Sequence, residues 1–398
     1  MSIIKRIQVS SLLLVLLAAP LSAWARVKLI TLPVRERVEI QLDHPGVTLV
    51  EEERIVPLVK GKNVVDFSWA YTRIDAESLV FRVLGPANGD NFDVSVLSVS
   101  YPPNENALIW NVYSAKSAAV KVRISYVLGN LRKRFSYRAV ATPDEKSLTL
   151  AQYLHIENYA NEEYGSTGIW AGYGDGFLKP IGINETKKIL MAKDPNVAIR
   201  KTYTVDLEKH GYLDAAKKKL RVPMHYVLKN DKGNGLGKVP LAYGKARLFQ
   251  DDGRGGTAFI GEDWGKFTPL DDEMTLYLGV AQDISVKRTI ERNNRKRIAA
   301  NLYSYDVIVK YEIENFKNKQ VQLDIVENIR KLRESLRGNN GREVEWELGD
   351  KTTFKAGIDK EKSSFERPQF NVMLPAKKDG TKATRVIHKL HVVMTNEW

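Results

Sequence analysis

Side chains that change face at every second residue constrain this chain more than any other feature. Met274, Leu276, Leu278 and Val280 alternate with Thr275, Tyr277 and Gly279, and Val120, Val122, Ile124 and Tyr126 alternate with Lys121, Arg123 and Ser125. That period lays one apolar face on a core; a helix would repeat its apolar positions every three or four residues. Turn signals such as Asp43-His44-Pro45-Gly46, Lys60-Gly61-Lys62-Asn63 and Asp251-Asp252-Gly253-Arg254-Gly255-Gly256 interrupt the chain about every ten residues. Short alternating runs between frequent reversals predict an all-β fold of two antiparallel sandwich-like domains with a few short helices.

The first 25 residues stand apart. Lys5 and Arg6 precede a short apolar run from Leu12 to Leu17, and Ala23-Trp24-Ala25 offers small residues where a signal peptidase reads. This is the build of a secretory leader cleaved after Ala25. The apolar run is shorter than the roughly 20 residues that span a bilayer. The chain has no cysteine, which excludes disulfides, thiolate metal sites, cysteine nucleophiles and a lipobox anchor. Of its 61 Lys and Arg, two lie in the leader, and 48 Asp and Glu leave the remainder at a formal +11. A basic exported protein is drawn to polyanions such as acidic polysaccharide. No nucleotide or other cofactor is implied, and the expected location is the periplasm or the cell exterior.

Past the leader, residues 26–130 read as an N-terminal sandwich and 131–398 as a C-terminal β domain. The second domain is organised around residues 243–330. Within it, 243–288 read as a three-stranded meander, and Tyr303, Tyr305, Val307, Val309, Tyr311 and Ile313 line one face of a long strand. Val321, Leu323 and Ile325 follow a turn at Asn315–Lys319 and read as the returning arm of a hairpin. Helix is expected in three places: Glu185–Lys193 with Asn184 as its cap, Leu213–Leu220, and Glu327–Arg337, where Ile329, Leu332 and Leu336 fall at helical spacing before Gly338. No heptad repeat is long enough for a coiled coil.

The runs GKARLF (244–249), FIGED (259–263), TPLDDEMTLYLGVAQDISVKR (268–288) and YDVIVKYEIENFKNKQVQLDIVE (305–327) follow one another in this order. Earlier comes IENYANEEY, with Asn158, Glu163 and Tyr164. Together they resemble a bacterial exported family, domain of unknown function 4139, which includes the mucoidy-inhibitor-like proteins. The resemblance covers most of the chain, without the coiled coil that many members carry. It implies an all-β exported protein and brings no agreed catalytic residues.

Residues with chemical potential are few. His388 and His391 sit three apart in a strand, a spacing that sends them to opposite faces rather than to one metal. Asp251-Asp252, Glu262-Asp263 and Asp271-Asp272-Glu273 fall in successive turns, where carboxylates either stay solvated, bind calcium, or act as a glycosidase acid and base. None matches an EF-hand. The glycine-rich pieces 172–176 and 233–237 lack the spacing of phosphate loops and read as plain loops. Two stretches carry binding expectations. Lys287, Arg288, Arg292, Arg295, Lys296 and Arg297 gather six cations in eleven residues with only Glu291 against them. They form either a polyanion-binding patch or a solvated strand connection. Trp170 and Tyr173, with Asp175 and Phe177 in a glycine setting, form either a sugar-stacking platform or core, the commoner fate of aromatics.

These observations lead to a binding or structural protein of the envelope, contacting an anionic polymer or a protein partner. The competing readings are a carbohydrate-active hydrolase using turn carboxylates, and a surface or appendage protein that self-assembles through an unprotected edge strand.

Overall fold

The computed structural model describes residues 28–397 except 45, 70, 173–175, 210–218 and 338–344. The stretch expected to be a leader lies outside them, as does most of the helix expected over Leu213–Leu220; Lys219 and Leu220 are extended. The chain is all-β. In order its strands are β1 (Lys28–Thr31), β2 (Arg37–Gln41), β3 (Thr48–Leu58), β4 (Gly61–Ser68), β5 (Val80–Pro86), β6 (Val94–Ser100), β7 (Ala107–Ser114), β8 (Ala118–Leu128), β9 (Leu131–Ala141), β10 (Ser147–Asn158), β11 (Tyr164–Trp170), β12 (Phe177–Ile181) and β13 (Thr186–Ala198). They continue as β14 (Arg200–Asp206), β15 (Lys219–Leu220), β16 (Pro223–Lys229), β17 (Gly244–Asp251), β18 (Thr257–Gly265), β19 (Glu273–Val280), β20 (Ile284–Ala299), β21 (Leu302–Asn315), β22 (Val321–Val326), β23 (Glu345–Leu348), β24 (Gln369–Leu374) and β25 (Thr384–Glu397). One α-helix, α1 (Ile329–Arg337), stands among them.

Two compact units emerge. The first runs to Arg132 and regains the chain over Glu157–Glu185; the second takes Lys133–Ile156 and everything from Thr186. The return of 157–185 has a local cause. β11 pairs in parallel with β2, Gly168 beside Glu39 and Ile169 beside Ile40, so this stretch completes a sheet begun at the start of the chain.

The first unit has a sheet in the order β1-β4-β7-β6 and another in the order β12-β11-β2-β3-β8-β5. Alternation builds both. β7 and β8 bury every second residue, and Phe67 and Trp110 of one sheet meet Tyr126 and Phe81 of the other at 4.9–6.0 Å between ring centroids. Burying each such ring contributes roughly 2–3 kcal/mol. A buried carboxylate, Glu52, is held by Arg35 and by Arg54 at 2.9 Å, and Arg35 also reaches Glu162. Burial, then the nearby Glu52 charge, pushes the Tyr126 hydroxyl up to about 12.

The second unit has three sheets: β13-β10-β9-β17-β18, β19-β16-β14-β22-β24 and β15-β20-β21-β25-β23. One face of the middle sheet serves two cores. Met274 and Leu276 lie across from Leu228 and Tyr226, and these pack with Tyr137, Ala139, Ala246 and Leu248. Farther along the same face, Tyr203, Leu323 and Val372 are successive cross-strand partners, and they pack with Val307, Val309, Tyr311 and Leu390.

Several expectations change. The sheets are mixed rather than purely antiparallel, because β1–β4, β2–β11, β9–β17 and β14–β22 run parallel. Most of Glu185–Lys193, from Thr186 on, is strand and not helix. Asn184 takes φ 56° within the Gly182–Glu185 turn instead of capping, and from Thr186 the chain joins the sheet beside β10, where pairing overrides a weak helical preference. The 303–325 hairpin does not form either. β21 pairs with β20 and β25, whereas β22 crosses to the facing sheet, so the two apolar rows meet through the core and not edge to edge. Likewise β17 and β18 are a hairpin, but β19 leaves for β16. The Glu327–Arg337 helix is present as α1. Asn328 caps it by accepting from Lys331 N at 2.9 Å, and Ile329 and Leu332 plug the second core.

Candidate functional site

β9 and β17 lie parallel and in register, Tyr137 beside Ala246 and Ala139 beside Leu248 on the core side. The period of two therefore sends Ser136, Arg138, Lys245, Arg247 and Phe249 to the opposite, outer face. β18 adds Trp264 across from Lys245, Glu262 across from Arg247 and Phe259 across from Phe249. The result is an outer sheet face carrying cations and aromatic rings together.

Its geometry is ordered. Tyr243 and Trp264 stack nearly parallel, 5.2 Å between centroids and 6° between planes, yet remain 59% and 50% exposed. The Lys245 ammonium sits 5.3 Å from the Trp264 ring, and the Arg138 guanidinium 4.7 Å from that of Phe249. Phe249 meets Phe259 edge-on at 5.6 Å. Glu262 bonds Lys245 at 2.8 Å and Arg247 at 3.1 Å, and these contacts hold its carboxyl below the usual range. Farther across the sheet, Ser136 Oγ lies 2.7 Å from His155 Nε2, and Lys188 rests 3.9 Å over the Tyr153 ring. Exposed π-faces stack on sugar rings, and guanidinium and ammonium groups bind carboxylate, sulfate or phosphate.

The six cations of 287–297 are dispersed. All belong to β20, where alternation and a bulge between Ile290 and Arg292 divide them between faces. Arg288 points inward and forms a two-pronged pair with Glu327 at 2.8 and 3.0 Å, joined by the Tyr311 hydroxyl. Burial opposes its charge most strongly, but the Glu327 charge and the hydrogen bonds of Glu327 and Tyr311 together outweigh it and raise its pKa. Lys287 faces Glu312 at 3.9 Å, and Arg292 pairs with Asp306 at 3.1 Å. Arg295 stacks 3.5 Å over Tyr303, Arg297 donates to the Ala300 carbonyl, and Lys296 has no ion pair among the described residues.

Trp170 is 41% exposed rather than core, and shares with Phe177 and Leu178 an open groove of about 620 Å³ beside β2. Its expected companions Tyr173 and Asp175 lie outside the described residues. Of the expected turn carboxylates, Glu262 and Asp263 lie within β18 and not in a turn; Glu262 pairs with Lys245 and Arg247, Glu273 with Arg200 and Lys362, and four aspartates accept from the backbone. Asp251 accepts from Gly253 N, Asp252 from Arg254 and Gly256 N, Asp263 from Trp264 and Tyr277 N, and Asp272 from Glu273 N. Asp251 closes one end of the hairpin and Asp263 lies near the other, about 15 Å away at strand rise. His388 and His391 occupy β25: His391 bonds Asp306 at 3.0 Å, and His388 packs on Phe354. No group of three or more potential metal ligands occurs among the described residues.

The sequence reading passed over Tyr243, Trp264, Arg138, Lys245 and Arg247. The available signal was weak: Arg132, Arg134 and Arg138 share one parity in β9, and Lys245 and Arg247 lie two apart in β17. No protein-family model and no curated protein matches the chain.

Proposed function

We propose that this is an exported, non-enzymatic envelope protein that holds an anionic polymer, an acidic polysaccharide, against the outer face of β9, β17 and β18. The observation that carries this reading is the half-exposed Tyr243–Trp264 stack bordered by Lys245, Arg247 and Arg138, with Glu262 as the carboxylate among them. Stacking supplies a sequence-tolerant grip on sugar rings, and clustered cations raise the local concentration of a polyanion. The build of the first 25 residues favours an exported setting. Asp251, Asp252, Asp263 and Asp272 are engaged by backbone N–H groups, and Glu262 and Glu273 by cationic side chains, which favours binding over hydrolysis.

The test is retention on an immobilised acidic polysaccharide under a rising salt gradient, beside a neutral polysaccharide column. The reading expects retention on the acidic matrix that weakens with salt, earlier elution of Arg138→Ser/Arg247→Ser, and weaker retention of Trp264→Ala at any salt. Retention unchanged in both variants would sink it.

A further inference from the structure

The sheet edges of this chain are unequally protected. An edge strand exposes unpaired N–H and C=O groups, and proteins guard such edges with charge, proline or a covering segment. β1, β5, β12, β13, β15, β18, β19 and β23 each carry a charged residue, and β5, β12 and β13 also carry proline. β24 is uncharged but covered: Asp359 N bonds the Gln369 carbonyl and Ile358 bridges to Phe370. β6 has neither protection. Its sequence is Val-Ser-Val-Leu-Ser-Val-Ser, and its pairing among the described residues is with β7 alone. Val96, Leu97, Val99 and the following Tyr101 are 37%, 52%, 44% and 54% exposed.

We propose that β6 pairs antiparallel with β6 of a second copy of this chain, the two-fold axis passing through Val99. That register sets Val99 against its counterpart, Ser98 against Ser100 and Leu97 against Tyr101, so apolar meets apolar and hydroxyl meets hydroxyl. A two-fold interface must be self-complementary in this way. The absence of charge also matters, because the whole chain carries a formal +13 and most other edges would set like charges face to face. The bulge at Leu97, where the register with β7 slips, limits the added pairing to a few residues. The dimer is therefore weak and concentration-dependent, below the area of a permanent interface. Joining the strands extends the four-stranded sheet across both copies.

The lack of native cysteine makes the test direct. Directly opposed residues in an antiparallel pair come close enough for a disulfide. Under mild oxidation Val99→Cys is expected to give a covalent dimer in high yield and Ser95→Cys little. Sedimentation of the unmodified chain is expected to show mass rising towards two copies with concentration, and Leu97→Lys or Tyr101→Lys to hold it at one. Circular dichroism and the melting midpoint establish that each variant is folded. A chain that stays monomeric throughout, or cross-linking no greater at Val99→Cys than at Ser95→Cys, overturns the proposal, including the case in which β6 accepts a foreign peptide instead.

Discussion

Two regions of the second unit are rich in cations, and they differ in what a strand does to them. Residues 287–297 are dense in charge along the chain but belong to one strand, so successive residues face opposite ways. Arg288 ends in the core, Arg295 and Arg297 take the same face as Arg288, and Lys287, Arg292 and Lys296 take the other, where no stacked aromatic pair lies beside them among the described residues. On β9 and β17, Arg138 is far in sequence from Lys245 and Arg247, and two strands in register bring them to one surface. Charge per residue of chain is thus a poor guide to charge per area of sheet. What counts is parity and register.

Arg288 marks the sharpest contrast, being a cation whose work is structural. Arg288→Ala leaves Glu327 buried and unpaired, at a cost of about 3–5 kcal/mol. Thermal or denaturant unfolding reads this, while polymer retention of the folded fraction stays as in the parent. Loss of retention with intact stability would return this stretch to the binding surface. On the other surface, Trp264→Ala removes one half of the Tyr243 stack. Loss of that intramolecular stack costs the fold roughly 0.5–1.5 kcal/mol, a small drop in melting, and titration with a soluble acidic oligosaccharide is expected to show a several-fold weaker complex of the folded chain.

Smaller effects come from groups that bind nothing. Burial holds His388 below 6.5, so the unfolded chain takes up the proton first. Its contribution to stability is complete above 6.5 and is lost as pH falls through the folded value. His388→Gln is expected to flatten the decline in melting midpoint below 6.5, and an unchanged decline contradicts this. Asp324 is the reverse case. Burial raises its pKa from 3.8 despite a 2.9 Å bond from Gln322, so its ionisation opposes folding at neutral pH. Asp324→Asn keeps an acceptor and is expected to raise the midpoint modestly at pH 7, with the gain vanishing below 3.8. Neither change should move polymer retention.

The fold class was legible because alternation is local: Met274, Leu276 and Leu278 are buried, as their period demands. Pairing was not legible. Tyr303–Ile313 and Val321–Ile325 both present an apolar row, and such rows satisfy a hairpin and a face-to-face packing equally well. The segment at 185–193 misled for a related reason. Ile189 and Leu190 beside a polar asparagine fit two helical turns, but the choice was made by β10, which is distant in sequence. The binding face was hidden for the same cause. Tyr243, Lys245, Arg247 and Trp264 are unremarkable along the chain, and only the parallel match of β9 with β17 adds Arg138 to them. Trp170 shows the converse, an aromatic expected in the core that lies at a groove.

The measurement closest to the central claim is a side-by-side salt elution from immobilised acidic polysaccharide. It compares the parent chain with Arg138→Ser/Lys245→Ser/Arg247→Ser and with Lys287→Ser/Arg292→Ser/Lys296→Ser, three cations removed in each. Register and parity predict that the first variant leaves the column at much lower salt while the second elutes near the parent. Equal shifts for both, or the larger shift for the second, would mean that net charge or the β20 run governs binding and that the aromatic sheet face does not.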